Sequence, residues 1–346
     1  DLWWHLDWKK GSAHTSIQVS LIDGHINNIT RFKLFLPKAR EGGDNEVFTS
    51  NLLSELGFLA PRTFIVSAEI NGIKENYIFQ EDLRKEFLEN INLLEGPILE
   101  GDERLTIMRK DDKMLPDLSL SRIVNKNFSL KNENSEEVAL SAVSNLNLIY
   151  LQHHQIDNSE NLFYLPGDRL HINTKRFFLN ETNKIKYQIY ESLIYALDAH
   201  HSLSFDDRRF YFDPINKHFI PIYYDGKSKI VNNIQKSDLK LLSNAATIDA
   251  KMGALKAINL LNELNHENFR DKLSNLGISI SVKNYKELIK RIITRLKAIK
   301  DGNPPEVKFL EAERYFSEID SNISKDKKLV FVNYNKKEFY ICNFDL

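Results

Sequence analysis

The chain has 346 residues, with 42% hydrophobic and 27% charged side chains, which is enough for one bilobal enzyme or for two or three ordinary globular domains. Its 47 Lys and Arg residues balance 48 Asp and Glu residues, and a formal charge of -1 gives no reason to expect nucleic acid or an anionic membrane as the main partner. The single cysteine, Cys342, excludes both an intramolecular disulfide and a zinc site built from several cysteines.

Three features bear on where the protein is found. The lone cysteine favours a reducing compartment, so we expect a cytoplasmic protein. No apolar run approaches the roughly 20 residues of a membrane span, so no span is predicted. The chain begins with Asp1 rather than an initiator methionine, so we expect a trimmed N-terminus, which leaves export open.

Residues 1–80 are predicted to form a small β-rich lobe that contains one helix. Asp23-Gly24 and Asn71-Gly72 are typical of hairpin turns, Pro37 ends a strand, and Gly57 stops the helix. The order of elements is strand, strand, helix, strand, strand, over residues 16–22, 26–36, 45–56, 63–70 and 76–80.

From residue 81 onward the hydrophobic pattern becomes helical, which predicts a larger helical lobe over residues 81–300. Two short strands at 209–212 and 219–223 flank the Asp213-Pro214 turn inside this lobe. Residues 301–346 are predicted to form an extension that ends in a β-hairpin. The expected fold class is therefore α+β, with a small β-rich lobe followed by a larger helical lobe.

A lysine and a glutamate stand in positions that suit phosphoryl transfer. This chemistry needs a cation for the nucleotide phosphates, an acid that fixes the cation, and carboxylates that hold a metal. Lys33 lies mid-strand between apolar residues, and Glu46 lies in the first turn of the next helix. The alternative is a solvated lysine and a glutamate that is favoured by the helix dipole.

The strand over residues 77–82 turns from apolar to polar where the two predicted lobes should meet. Gln80 and Glu81 stand at this point, where a kinase hinge would receive adenine through backbone groups. The alternative is an ordinary strand end.

Asp225 and Gly226 close an apolar strand, as the metal-binding segment of kinases does. We expect Gly226 to let the chain turn away without a side chain that would block bound phosphates. The alternative is a plain Asp-Gly turn.

The segment 201–211 joins a helix end to a short strand, as a catalytic loop does. Its candidates for the base and for a second metal ligand are His201, Asp206 and Asp207. The alternative is that the two acids pair with the neighbouring arginines, at positions 208 and 209.

Several runs of the sequence match one family pattern, in which a stretch like Leu56-Gly57-x-x-x-Pro61 precedes strands that end at an acidic hinge. The runs lie at residues 31–36, 45–48, 55–63, 71–72, 77–81, 209–214 and 221–226. Together they resemble the spore-coat CotH family of atypical kinases. The resemblance covers about residues 16 to 230 and is strongest at 44–104 and 201–226.

This resemblance implies a bilobal protein-kinase-like fold and a phosphotransferase that uses ATP and Mg²⁺. Protein side chains are the implied acceptor, and a small-molecule or glycan acceptor stays open. The implied roles are the nucleotide lysine for Lys33, its partner for Glu46, the hinge for Gln80 and Glu81, and metal ligands for Asp207 and Asp225.

Two departures from the kinase pattern keep a second hypothesis open. The chain has no His-Arg-Asp motif, so the base is not identified, and His201 and Asp206 are candidates for it. No glycine-rich loop is evident, and residues 10–16 are the nearest substitute. The alternative function is a pseudokinase, or a coat or envelope scaffold, that binds a nucleotide or a partner without catalysis.

Overall fold

The structure is a computed structural model, and its fold is mixed α+β, which confirms the predicted class at this level. The residues that it describes are 15–40, 43–101, 120–151, 154–155, 180–204, 207–231, 239–304, 308–309, 328–333 and 338–343. Among these residues, no helix combines the length and the apolar character that crossing a membrane requires.

The strands of the described part are, in chain order, β1 (Ile17–Ser20), β2 (Arg31–Phe35), β3 (Thr63–Ile70), β4 (Ile73–Glu81), β5 (Ile98–Gly101), β6 (Ser121–Ile123), β7 (His154–Gln155), β8 (Arg209–Asp213), β9 (His218–Ile222), β10 (Lys308–Phe309), β11 (Lys328–Asn333) and β12 (Glu338–Asn343). Its α-helices are α1 (Asp44–Glu55), α2 (Lys85–Asn90), α3 (Lys126–Ser129), α4 (Glu133–Leu151), α5 (Glu181–Ala196), α6 (Leu239–Ala245), α7 (Ile248–Glu263), α8 (His266–Asn275) and α9 (Val282–Asp301). The described part also contains two short 3₁₀ helices, at Pro37–Arg40 and His200–Leu203.

The first sheet has the strand order β1-β2-β4-β3, and all of its pairs are antiparallel. Lys33 on β2 lies opposite Gln80 on β4. Because side chains alternate along a strand, Lys33 shares a face with Phe35, which belongs to the large core that includes α1. The other face carries an aromatic stack, in which the ring centre of Phe79 lies 4.4 Å from that of Phe32.

The first hairpin reverses at a different place from the one predicted. The chain continues past Asp23-Gly24, and Ile26 and Ile29 exchange two backbone hydrogen bonds of 3.0 and 2.8 Å across Asn27-Asn28. The φ angles of these two asparagines are 51° and 61°. Asparagine tolerates this left-handed conformation, so the Asn-Asn pair makes the tight turn and the Asp23-Gly24 prediction is wrong.

The second sheet has the order β6-β5-β8-β9, again with antiparallel pairs. The N–H of Tyr223, directly after β9, donates to the carbonyl oxygen of Leu59 at 2.8 Å. This bond ties the end of β9 to the loop that follows α1. Farther along the chain, β11 and β12 pair as an antiparallel hairpin.

Helix α1 is enclosed by the rest of the molecule, since every residue from 45 to 53 is buried. Its apolar side chains belong to one core with α5, α7, α8 and α9. The rings of Phe48 on α1 and Phe269 on α8 make an edge contact with a centre-to-centre distance of 6.1 Å. The first sheet, α1 and the later helices are therefore packed around a shared core.

Candidate functional site

Three of the predicted site residues come together at one point. One ligand atom each from His201, Asp207 and Asp225 lies within 4.8 Å of the other two. Asp207 stands just before β8 and Asp225 just after β9, and the antiparallel pairing of these strands brings both acids to the same end of the hairpin. His201 joins them from the 3₁₀ helix that follows α5.

The position of His201 depends on how α5 ends. Arg295 of α9 donates to the carbonyl oxygens of Ala196 at 2.7 Å and Tyr195 at 3.0 Å, so it satisfies groups that a helix end leaves without partners. One turn later, the hydroxyl of Ser202 donates to the carbonyl oxygen of Ala199 at 2.8 Å. These bonds hold the short helix that carries His201.

Asp225 adopts a left-handed backbone conformation with a φ of 43°. Aspartate tolerates this region better than most residues, and such conformations are common at functional sites. The following glycine has a packing role, because a Cβ on Gly226 would lie 2.6 Å from the ring of Tyr223 and 2.9 Å from the Cβ of Ala199. Gly226 is therefore required by close packing under the site, and the expectation that it clears space for phosphates stays a prediction.

A hydrogen bond of ordinary length links the imidazole to one of the acids. His201 Nε2 lies 2.9 Å from Asp207 Oδ2. Burial alone would lower the pKa of His201, but the hydrogen bond and the charge of Asp207 outweigh burial and raise it. The imidazole is thus held in a fixed orientation, with Nδ1 as its other ring nitrogen.

Asp225 is kept ionised by an arginine that the sequence analysis did not single out. The guanidinium of Arg40 forms an ion pair with Asp225, and both side chains are buried. Burial alone would raise the pKa of Asp225, but the Arg40 charge outweighs this effect and lowers it. The sequence signal was the place of Arg40 between the strand that carries Lys33 and the helix that carries Glu46.

The donor set fits a divalent cation. Asp207 and Asp225 provide hard carboxylate oxygens, and Mg²⁺ usually takes one or two protein carboxylates together with phosphate oxygens and water. Both acids are buried, so their geometry is fixed by the surrounding chain.

Lys33 does not form the predicted ion pair with Glu46 in the described structure. Its Nζ donates to the hydroxyl of Tyr224 at 2.9 Å and lies 3.9 Å from Asp82 Oδ1. The pKa of Asp82 is lowered, because the charges of Lys33 and Arg84 outweigh burial, which alone would raise it.

Glu46 is bound by neutral donors instead. Its carboxylate accepts from Gln80 Nε2 at 3.1 Å and from the Tyr223 hydroxyl at 2.8 Å. Burial raises the pKa of Glu46, and the charge of Arg40 opposes this. The predicted pairing is wrong for this conformation, because Gln80 and Tyr223 occupy the Glu46 oxygens and Tyr224 holds the lysine.

The two predicted hinge residues are also engaged within the protein. Arg62 binds the Glu81 carboxylate through Nε at 2.8 Å and Nη2 at 2.7 Å, while the backbone N–H of Glu81 donates to the Arg62 carbonyl oxygen at 3.0 Å. Since β4 lies between β2 and β3, the backbone of Gln80 and Glu81 is inside the sheet and not at an edge. The backbone N–H of the next residue, Asp82, also donates to the Arg31 carbonyl oxygen at 3.1 Å, and the hinge role of Gln80 and Glu81 stays a prediction.

The arginines that follow Asp207 have other partners. Arg209 pairs with Glu100 Oε2 at 2.6 Å, and its guanidinium stacks 3.4 Å from the ring centre of Tyr224. Arg208 is buried among α4 and α5 side chains, where the charge of Glu191 acts on it. The ion pairs of this segment therefore join Asp207 to His201 and Arg209 to Glu100, and Asp206, the other acid of the alternative interpretation, lies outside the described residues.

Two predicted features lie outside the described residues, namely Asp206 and residues 10–14 of the substitute for a glycine-rich loop. Comparisons with protein-family models and with curated proteins find no match for this chain. The case for a function therefore rests on the motifs and on the geometry of the site.

Proposed function

We propose that this protein is an ATP- and Mg²⁺-dependent phosphotransferase with a bilobal, kinase-like fold. The observation that carries the proposal is the convergence of His201, Asp207 and Asp225 at one end of the β8–β9 hairpin. Tyr224, next to Asp225, receives a hydrogen bond from Lys33 on the first sheet, so the proposed lysine stands beside the proposed metal ligands.

The order of elements supports the kinase-like fold. A strand with a lysine is followed by a helix with a buried glutamate and then by two strands, with β4 beside the lysine strand. Protein kinases place their nucleotide lysine and its glutamate on a strand and a following helix in the same way. The resemblance to the CotH family, described above, points to the same fold.

Each site residue has a role in the proposed reaction. Asp207 and Asp225 would hold Mg²⁺, which when bound neutralises charge on phosphate oxygens. Lys33 binds and orients the phosphates as a cation. His201, oriented by Asp207 through Nε2, accepts the proton of the acceptor hydroxyl at Nδ1 when the ring is neutral. Protein side chains are the proposed acceptor.

The second candidate is a pseudokinase that binds a nucleotide without turnover. Two observations favour it, namely the separate partners of Lys33 and Glu46 and the ion pair that Arg40 makes with Asp225. Thermal unfolding with ATP and Mg²⁺ detects binding in both cases, since a ligand at 100 times its dissociation constant stabilises a protein by about 2.7 kcal/mol.

The proposal is tested by measuring ADP formation and autophosphorylation with ATP and Mg²⁺ for the parent protein and for Asp225→Asn. Asp271→Asn, an exposed acid on α8, is the matched control. We expect Asp225→Asn to lower turnover by about 100-fold or more, because charge stabilisation in the transition state is lost, and Asp271→Asn to leave it unchanged. A variant Asp225→Asn that melts like the parent and keeps full Mg²⁺-dependent turnover would overturn the proposal. Nucleotide binding without turnover in the parent would favour the pseudokinase.

A further inference from the structure

The ion-pair partner of Asp225 in this structure is the cationic side chain of Arg40. Arg40 lies in the short 3₁₀ helix between β2 and α1, and its side chain is 2% exposed, against 10% for Asp225. The guanidinium carbon lies 4.1 Å from the ring centre of Phe35 and 5.7 Å from that of Tyr224. Arg40 thus occupies an enclosed position next to one of the proposed metal ligands.

A buried carboxylate needs a compensating charge, and in this structure Arg40 is the main source of that charge for Asp225. Leaving a buried charge unpaired is strongly unfavourable, so Asp225 without a metal requires Arg40. A divalent cation at the same carboxylate would supply that charge, and it would repel the guanidinium at close range. Arg40 and a metal ion therefore compete for Asp225.

The surroundings offer Arg40 a second acid. Glu46 on α1 is buried, and its charge acts on Arg40 together with that of Asp225. The Glu46 carboxylate is held by Gln80 and Tyr223, so it stays near the guanidinium. An arginine that leaves Asp225 can keep a charged partner without moving into solvent.

We infer that Arg40 is a built-in competitor of the divalent cation, which neutralises Asp225 in the metal-free protein and has to release it before the metal binds. This inference rests on the proposed metal site, and it adds a residue that regulates that site. It predicts a metal affinity that is weaker than the carboxylates alone would give, and a metal-free protein that is stabilised by the ion pair.

The test is Mn²⁺ binding to the 346-residue chain, measured from the electron paramagnetic resonance signal of free Mn²⁺, together with thermal unfolding with and without Mn²⁺. The variants are Arg40→Met, Arg40→Lys and Asp225→Asn, and Arg270→Met is the control because Arg270 also pairs with an aspartate, Asp271. We expect Arg40→Met to bind Mn²⁺ about tenfold more tightly or more, and to gain more thermal stability from Mn²⁺ than the parent does. Arg40→Lys, which keeps the charge, and Arg270→Met should bind Mn²⁺ as the parent does.

The outcomes separate the inference from the proposed function. If the parent binds Mn²⁺ and Asp225→Asn does not, but Arg40→Met binds no more tightly than the parent, the inference falls and the metal site stands. If the parent and Arg40→Met both fail to bind Mn²⁺, the inference and the metal site fall together.

A measurement on the parent protein covers the case in which Arg40→Met does not fold. The side-chain Nε–H resonance of Arg40, assigned with Arg40→Lys, is followed while Mg²⁺ is added. A shift of this resonance that saturates with the metal supports the release of Arg40, and a resonance that stays fixed while the metal binds overturns it.

Discussion

At the scale of single residues, ionisation of the buried acid Glu191 on α5 is energetically unfavourable. It accepts hydrogen bonds from the hydroxyl of Thr247 at 2.7 Å and from that of Tyr187 at 3.4 Å. Burial raises the pKa of Glu191 to about 7, with the charge of Asp249 adding to this and Arg208 opposing it. The folded pKa of Glu191 lies above the unfolded value of 4.5. The stability that Glu191 contributes is therefore fully present below pH 4.5 and is lost as the pH rises through about 7.

Glu191→Gln should remove this pH dependence. A shift of two to three pKa units corresponds to about 3 kcal/mol, so the free energy of unfolding of the parent should fall by up to this amount between about pH 5 and about pH 8 relative to the variant. Urea unfolding at the two pH values measures the difference. Glu263→Gln, an exposed acid on α7, is the control and should follow the parent. If Glu191→Gln shows the same pH dependence as the parent, the buried-acid account is wrong.

The residues of the site differ in how far the sequence reveals them. Asp207 and Asp225 lie close together because a local hairpin joins their strands, and the turn at Asp213 predicts this hairpin. Arg40 contacts Asp225 across 185 positions of the chain from a short non-periodic segment, so no periodic pattern points to this contact, and the available signal was the position of Arg40 between the Lys33 strand and the Glu46 helix. The partner of Lys33 was also missed, because Tyr224 looks like one more apolar strand residue in the sequence.

At the scale of elements, the crossing of α5 and α7 depends on a single glycine. A Cβ on Gly253 of α7 would lie 2.1 Å from the carbonyl oxygen of Gln188 on α5. The two helix backbones therefore approach as closely as a residue without a side chain allows, and Ala250, Ala254 and Ala257 line the same buried face.

Gly253→Ala should destabilise the protein, although alanine favours an isolated helix by about 1 kcal/mol over glycine. The added methyl group has to push the two helices apart, and overpacking of this kind costs about 1 to 3 kcal/mol or more. Thermal or urea unfolding measures the loss, with Lys256→Ala on the exposed side of the same helix as a control that should be neutral. A Gly253→Ala variant at least as stable as the parent would show that the helices are not in close contact there.

Helix α1 shows why periodicity alone was not sufficient. The sequence predicted its bounds and an apolar face, yet its polar residues are buried as well. The hydroxyl of Ser50 donates to the carbonyl oxygen of Pro61 at 2.6 Å, and the amide of Asn51 donates to that of Thr63 at 2.7 Å. These side chains satisfy backbone groups of a neighbouring segment, and a sequence pattern does not contain that information.

At the scale of the whole molecule, the residues of the candidate site come from the segment that forms the first sheet and from the later segment that forms the second sheet. Arg40 and Lys33 come from the first sheet and its connection to α1, and the acids come from the hairpin of the second sheet. Further bonds join the two parts: the N–H of Val231 donates to Asn45 Oδ1 at 2.8 Å, and the N–H of Ile65 donates to the Leu276 carbonyl oxygen at 2.9 Å. The first sheet and α1 are therefore joined to the later part of the chain by contacts that the order of elements did not predict.

The most direct test of the proposed function is a crystal structure of the 346-residue chain with Mn²⁺ and a non-hydrolysable ATP analogue. Anomalous scattering locates the metal without reference to the fold. The account predicts Mn²⁺ bound to Asp207 and Asp225, with the phosphates of the analogue beside Lys33 and with Arg40 released from Asp225. A crystal saturated with both ligands, in which the metal and the phosphates bind away from these two aspartates, would contradict it.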